Sequence, residues 1–524
     1  MASVSQAPEQ KANPPASVEV RSIDYVPLRE RHGKPWHLGP VWFQGNAQLA
    51  TLAVGLIGVS LGLNFIWSAV AIILGVLVGT LFMAFHSAQG PKLGLPQMIQ
   101  SRAQFGYYGS LLPVVVAVLL FIGFNVFNTI LGGQVLQELF PSLTNLEADL
   151  PVVILSVLLT VFGYHYIHVG LRWATWLFIA SYAVFTVVAL ADTTLPAHAF
   201  DVGRFQIGPF LVQFGAVVSY QLTWAPYVSE YSRYLPRETK TSTVFWWTYN
   251  GSVAGAVIML LGAFILAPNP TLQPVAVVHQ TAEKFFHGFG GVLMVCSIPG
   301  LIAVIAMNMY SGGLSTLTTV DTIHRIKPTF TARWMSIGFI TVTATVLALV
   351  LPSNFLANFN NFLLIILYFM IPWTAVNLID FFFVRHERYA IRELFRPHGL
   401  YGAWSWRGLT AYVVGFAVMI PFMSTTIWEG PVAKSLSGGD ISPFVGFPVA
   451  AVLYYLLSRG IDVATEYRIA EEQEPLLEAE AIAHAELGSR EERDLLDDVG
   501  ARVADELELL GGEGQIGVER HPSA

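Results

Sequence analysis

Charge is scarce in this sequence. Of its 524 residues only 12% are Asp, Glu, Lys or Arg, while 54% are hydrophobic; a soluble domain carries roughly 25% charged residues. The mean hydropathy is accordingly positive, +0.55. Cysteine is nearly absent. Cys296 stands alone, which excludes an internal disulfide and leaves the redox compartment open. There is no His-Glu-x-x-His, no Cys pair and no phosphate-binding loop, so the motifs of metalloproteases, zinc sites and nucleotide enzymes are missing. No row of like charges marks an ion-conducting pore. The first forty residues are polar, so no cleavable signal peptide is expected.

What the sequence has instead is long apolar runs, such as 111–124, 152–162 and 337–351. Crossing about 30 Å of hydrocarbon takes roughly 20 apolar residues in a helix. Twelve such spans are expected, near 42–65, 67–87, 110–138, 150–168, 172–192, 207–228, 243–267, 287–315, 334–351, 359–383, 408–427 and 441–459. Basic residues are unevenly shared between the connections. Lys92, Arg102, Arg172, Arg233, Arg237, Lys240, Arg325, Lys327, Arg333, Arg385, Arg388, Arg392 and Arg396 fall on one side, and little beyond Arg204, Lys284 and Lys434 on the other. By the positive-inside rule both termini are cytoplasmic. The fold class is thus an all-α polytopic membrane protein. Residues 1–40 read as a cytoplasmic N-terminal tail, 41–460 as a twelve-helix transporter domain, and 461–524 as an acidic cytoplasmic C-terminal tail. The net charge of −8 resides in that last segment, which is expected to be a solvated, partly helical extension.

Polar side chains inside spans are costly, so they are candidates for function, with helix–helix contacts as the alternative. The first span opens Trp42-Phe43-Gln44-Gly45-Asn46-Ala47-Gln48, poor material for a continuous lipid-facing helix. The sixth contains Gln221-Leu222-Thr223-Trp224-Ala225-Pro226, and Pro226 removes a donor and clashes with the preceding turn. Interruptions five spans apart point to an inverted-repeat transporter with a midplane site. In the third span Phe124 and Asn128 share a helix face. In the eighth, Asn308 is a lone amide among apolar residues. Aromatic faces and amides without a fixed charge suit a flat, uncharged ring with lactam and amino groups.

These residues carry a resemblance. The blocks Ser101-Arg102-Ala103-Gln104-Phe105-Gly106, Gly132-Gly133-Gln134-Val135-Leu136, Trp224 with Glu230-Tyr231-Ser232-Arg233-Tyr234, Asn308-Met309-Tyr310-Ser311 and Pro372-Trp373-Thr374-Ala375-Val376-Asn377-Leu378-Ile379-Asp380 resemble the nucleobase–cation symporter-1 family of purine–cytosine, allantoin and hydantoin permeases. The resemblance implies a five-plus-five inverted-repeat transporter fold with two additional C-terminal helices. It implies substrate ligands at Gln48, Phe124, Asn128, Trp224 and Asn308, with Phe124 standing where several relatives have tryptophan. Sodium-coupled members use first-span carbonyls, here near Gln44 and Ala47, and two eighth-span hydroxyls. The matching positions are Ile302 and Ala303, which carry no side-chain oxygen; Ser297 and Thr223 are the nearest substitutes. Proton coupling is therefore preferred over sodium, with Glu230 as the protonatable candidate and an ion pair with Arg233 as its structural alternative.

The expected function is a secondary active cation symporter importing a nucleobase such as cytosine or a purine, across a cell membrane, as a monomer. It is expected to need no catalytic residue, metal or cofactor and to bind no nucleic acid; its partners are the substrate, the coupling cation (H+ or Na+) and the bilayer. The alternatives are another cyclic amide or vitamin ring (allantoin, hydantoin, uracil, thiamine), or an integral-membrane enzyme or cofactor-binding protein using His165 and His168.

Overall fold

The structure, a computed structural model, describes residues 23–161, 164–324, 326, 329–351 and 354–483. Among these there is no β-strand; an isolated antiparallel bridge joins Ser424 and Glu429. Helices overlap the expected intervals, with the fourth and fifth shifted to Asn145–Val161 and Tyr164–Asp192. Six among the described residues are long and apolar enough by themselves to cross a bilayer: Phe65–Leu93, Leu111–Leu139, Thr241–Leu266, Phe289–Ile323, Thr331–Val350 and Phe355–Val384.

We label the main helices α1 (Leu38–Asn46), α2 (Leu49–Gly55), α3 (Phe65–Ser87), α4 (Leu111–Leu139), α5 (Asn145–Val161), α6 (Tyr164–Asp192), α7 (Ile207–Leu222), α8 (Val228–Ser232), α9 (Thr241–Ala256), α10 (Phe289–Ile323), α11 (Phe330–Val350), α12 (Phe355–Ile379), α13 (Trp406–Ala417) and α14 (Ser442–Ser458), with α15 the helix Val463–Ala483. The closest partnerships are α10 with α4, α7 with α3 and α1 with α9, while α13 and α14 attach to α12. Close approach is bought with glycine. A Cβ on Gly255 of α9 would lie 2.3 Å from the Phe43 carbonyl and 2.9 Å from Asn46 Cβ, so α1 touches α9 backbone to backbone.

The expected first span is longer and more broken than its apolar pattern suggested. It starts at Leu38 and stops at Asn46; Ala47 and Gln48 leave helical geometry, with Gln48 extended at φ −156°, ψ 168°, before α2 resumes. The sixth also breaks: α7 ends at Leu222, a 3₁₀ turn covers Ala225–Tyr227, and α8 follows. In hydrocarbon an open backbone must be satisfied by protein. Asn46 does so by turning its Nδ2 back on the Trp42 carbonyl (3.1 Å) and across to Ser252 Oγ of α9 (2.8 Å).

The basic connections gather at one end of the bundle. Lys92, Arg237, Arg388 and Arg392 line a cavity of about 160 Å³ there, together with Tyr25 and acids of α15. Arg102 is buried and pairs with Asp321 (3.0 Å) and Thr322 Oγ1 (2.8 Å) at the end of α10. Arg172, Arg325 and Lys327 lie outside the residues whose side chains are described.

The expectation of a solvated tail fails for its first third. Beyond α14 the chain bends by 83° and α15 lies against this basic end. Glu466 is 2% exposed; both its oxygens meet Arg385 Nε at 3.0 Å, and it accepts a bond from the Tyr401 hydroxyl. Arg385 also grips Asp380, which accepts from Tyr389 (2.7 Å) and Tyr454 (2.7 Å). Two carboxylates share one guanidinium, and burial pushes the Glu466 carboxyl up against the opposing pull of Arg385. Further along, Glu474 pairs with Arg237, Glu480 with Arg392, and Glu478 takes the Tyr25 hydroxyl at 2.7 Å. The composition of the tail predicts solvation only while its acids have no basic surface to meet. Residues 484–524, like 1–22, lie outside the described part.

Removing one partner of a buried ion pair costs about 3–5 kcal/mol, whereas an exposed pair contributes about 0–1 kcal/mol. Glu466→Ala is therefore expected to lower the unfolding midpoint of the detergent-solubilised protein by several degrees and to expose α15 to protease. Glu471→Ala, which removes the exposed pair with Arg388, should do neither. Equal midpoints for the two variants would contradict the docking account.

Candidate functional site

The two helix breaks lie side by side. Gly45 faces the Trp224 ring, where a Cβ would sit 3.4 Å from its edge, and the Trp42 and Trp224 rings meet edge to face at 5.8 Å. From Trp224 the aromatic contacts continue to Tyr220 (6.1 Å) and Tyr227 (5.6 Å). Tyr220 reaches Phe124 of α4 at 5.9 Å, and Phe124 in turn meets Phe359 (6.2 Å) and Phe362 (5.3 Å) of α12. Gln48, Phe124, Asn128, Trp224 and Asn308 are all buried. The sequence-predicted stacking residues thus belong to one cluster, with a ring that the sequence reading missed. Tyr220 contacts both Phe124 and Trp224. Its position in α7, four residues before Trp224, is one helical turn and was available as a signal.

The amides in the cluster have determinate orientations. Gln48 Nε2 lies 3.4 Å from the Gly45 carbonyl and 3.1 Å from the Tyr220 hydroxyl, which also bonds Thr51 at 2.6 Å. A carbonyl can only accept, so the nitrogen faces it and Oε1 faces away. That oxygen is buried and has no partner among the described residues. Asn128 repeats the arrangement: Nδ2 donates to the Phe124 carbonyl at 2.8 Å, and Oδ1 is left buried without a described partner. Asn308 accepts from the Tyr227 hydroxyl at 3.4 Å, and the Trp224 indole N–H is unsatisfied among the described residues. A buried polar group without a partner costs about 1–3 kcal/mol. Among the residues of this cluster, the Gln48 and Asn128 oxygens and the Trp224 indole N–H are thus buried without a described partner.

The residues singled out for ion coupling separate. The Gln44 amide lies between α1 and α10, its Nε2 3.3 Å from where a Cβ on Gly300 would stand, and neither polar atom has a partner among the described residues. Ala47 is buried at the break. Ile302 packs with Val152, Ile305 and Ile337. The two substitute hydroxyls are already engaged: Thr223 with the Tyr220 carbonyl (2.7 Å), Ser297 with the Leu293 carbonyl (2.8 Å) and the Tyr182 hydroxyl (2.9 Å). Glu230 is 2% exposed and accepts from Ser311 of α10. Asp380 is paired with Arg385.

A family model described as permease for cytosine/purines, uracil, thiamine, allantoin matches residues 25–446, most of the chain and every residue of the cluster. The chain belongs to this permease family. A putative purine-cytosine permease of Bacillus subtilis is 40% identical over 448 residues, covering 84% of this chain and 96% of that protein. A purine-cytosine permease of Emericella nidulans is 26% identical over 474 residues, covering 84% and 88%. Among solved structures, Mhp1, a nucleobase-cation-symport-1 family transporter in a closed conformation with bromovinylhydantoin bound, superposes with a TM-score of 0.71 at 20% identity, covering 88% of this chain and all of that one. The likeness shows the fold.

The permease is a transporter, not an enzyme. The pair His165 and His168 falls on residues whose side chains lie outside the described part. One further buried acid went unnoticed in the sequence because α5 starts earlier than its apolar pattern implies. Asp149 is 4% exposed and lies against Gly133 of α4.

Tyr220 has a testable role in holding the Gln48 amide. Losing one net hydrogen bond is worth about 0.5–1.5 kcal/mol, so Tyr220→Phe should raise the half-saturating substrate concentration of uptake by roughly three- to tenfold while leaving the amount of folded protein unchanged. An unaltered concentration dependence would detach this hydroxyl from binding.

Proposed function

We propose that this permease is a secondary active transporter that imports a nucleobase such as cytosine or a purine, coupled to protons in preference to sodium. The observation that carries the reading is the pair of amides Gln48 and Asn128, whose nitrogens are held by protein groups and whose oxygens are buried without described partners, on residues adjoining the Phe124, Tyr220 and Trp224 rings and with no fixed charge among them. A ring stacked against Phe124, Tyr220 and Trp224 would give its N–H edge to those oxygens, with Asn308 reading a further polar atom. Each stacking contact is worth about 1–3 kcal/mol in nucleic-acid complexes. The family description and the purine-cytosine names of the two relatives support the same class of substrate.

Twelve crossings, a five-plus-five inverted repeat with two further helices, and cytoplasmic termini complete the proposal. Its domains are the tail 1–40, the transporter unit 41–460 and the acidic tail 461–524. The adjacent breaks in the first and sixth spans support the repeat, since matched interruptions are where such transporters bind substrate. Convergence of Lys92, Arg237, Arg388 and Arg392 on one end supports the orientation. The proton preference rests on what α1 and α10 offer each other. An amide stands opposite Gly300, Ile302 and Ala303 bring no oxygen, and the hydroxyls of Ser297 and Thr223 are spent locally.

Uptake by a permease-deficient host expressing the protein, tested with labelled cytosine, adenine, hypoxanthine, uracil and allantoin, is the direct test. Cytosine or a purine should accumulate, Asn128→Ala should reduce accumulation at least tenfold at unchanged membrane insertion, and choline in place of sodium should leave uptake intact while a protonophore abolishes it. Accumulation of none of the five would remove the nucleobase reading. Loss of uptake in choline would replace the proton by sodium.

A further inference from the structure

Histidine 86 lies near the end of α3, fully buried, and the substrate cluster does not use it. Its ring stacks on Trp373 of α12 with centroids 4.6 Å apart and planes within 2°. Its Nε2 is 2.5 Å from Thr374 Oγ1 of the same helix, and its Nδ1 is 3.1 Å from Gln97 Nε2 in the connection between α3 and α4. From Gln97 a line of amides runs to an anion. Gln97 Nε2 meets Gln89 Oε1 (2.8 Å), Gln89 Nε2 meets Asn377 Oδ1 (2.7 Å), Asn377 Nδ2 meets Gln104 Oε1 (3.4 Å), and Gln104 Nε2 meets Asp380 Oδ2 (3.0 Å). All these side chains are fully buried.

The anion orients the whole line. The Asp380 carboxylate, ion-paired with Arg385, accepts from Gln104, so Gln104 shows it nitrogen and shows Asn377 oxygen. The same alternation passes through Asn377 and Gln89 to Gln97. Gln100 donates to the Leu95 carbonyl (3.0 Å), which leaves its Oε1 3.4 Å from the same Gln97 nitrogen; with two hydrogens for three acceptors, Gln97 gives its bonds to the nearer Gln89 Oε1 and His86 Nδ1. Gln97 therefore offers His86 an N–H, and Nδ1 must be an unprotonated acceptor. The imidazole is neutral, with its proton on Nε2 facing Thr374.

A proton arriving on Nδ1 would point a donor at a donor. The repair is to reverse four amides, which would end with the Gln104 carbonyl against the Asp380 carboxylate. Arg385 and Tyr454 oppose that outcome, since both donate to the Asp380 carboxylate. The remaining outcome is to part α3 and its following connection from α12. The charged groups on or beside the elements packed round His86 are Lys92, Glu230, Arg233, Lys240 and Asp380, and the phenols are Tyr220, Tyr227, Tyr231, Tyr249 and Tyr368. The partners of the ring itself, Thr374, Gln97 and Trp373, are all uncharged, so no neighbouring carboxylate supplies a local alternative.

We propose that His86 is the residue that couples transport to protons: binding of one proton at Nδ1 breaks the amide relay to Asp380 and releases α12 from α3, and loss of that proton restores it. No covalent bond other than N–H forms or breaks, and the added charge leaves with the proton. The inference rests on the proton-driven reading above. It goes beyond Glu230, the candidate suggested by the sequence, because the His86 relay joins two different helices through groups whose polarity is determined.

The test uses the purified full-length permease in liposomes, with labelled cytosine as first probe and then the other rings of the uptake panel. Two readouts are compared: counterflow without any ion gradient, and accumulation driven by an imposed pH gradient. His86→Gln should retain counterflow within about threefold and lose at least nine-tenths of gradient-driven accumulation. Wild-type accumulation on the pH gradient that persists in His86→Gln overturns the role of His86 and leaves the proton reading standing. Wild-type accumulation on a sodium gradient alone, or on neither gradient for any ring, overturns both. If His86→Gln yields no counterflow, Asn377→Leu decides, since it cuts the relay and leaves the histidine in place. The pH midpoint of driven uptake should then move by at least half a unit, and an unmoved midpoint overturns the proposal.

Discussion

A polypeptide in hydrocarbon has no water to hydrogen-bond an open backbone, and this permease opens two helices at its centre. The breaks after Asn46 and after Leu222 are tolerable because they face each other. The Asn46 and Gln48 amides cover the Trp42 and Gly45 carbonyls, the Tyr220 hydroxyl holds Gln48, and the Trp224 ring closes over Gly45. Because the Gln48 nitrogen is used to cover the Gly45 carbonyl, its oxygen is left without a described partner.

A second polar assembly occupies the basic end. There α12 finishes in Asp380 and Arg385, and Glu466 of α15 completes the buried triad with Tyr389, Tyr401 and Tyr454 around it. Buried charge is expensive unless each lone pair and proton finds a partner, and here the phenols supply the remaining hydrogen bonds. The same Asp380 terminates the amide line from His86. Docking of the tail helix and orientation of the relay are thus linked through one carboxylate.

Much of the fold was legible because the bilayer imposes long apolar helices that composition alone reveals. The breaks were legible too, since Gln44-Gly45-Asn46 and Trp224-Ala225-Pro226 contradict an unbroken helix locally. The tail was misread for a physical reason. An acidic helix is solvated in isolation, and its partners Arg385, Arg392 and Arg237 lie 81, 88 and 237 residues away in the chain. Tyr220 and Asp149 were missed because a phenol in an apolar helix and an acid at a helix start have commonplace explanations.

The sequence by itself determined the class of molecule, the positions of the breaks and the residue types available to a ligand, because each depends on side chains within one or two helical turns. Only the tertiary structure decided which way each amide points, where α15 rests and what His86 touches. Those properties depend on donors and acceptors brought together from distant segments. The break between Asn46 and Gln48 could be read from seven residues, but the orientation of the Gln48 amide required Tyr220, 172 residues farther along the chain.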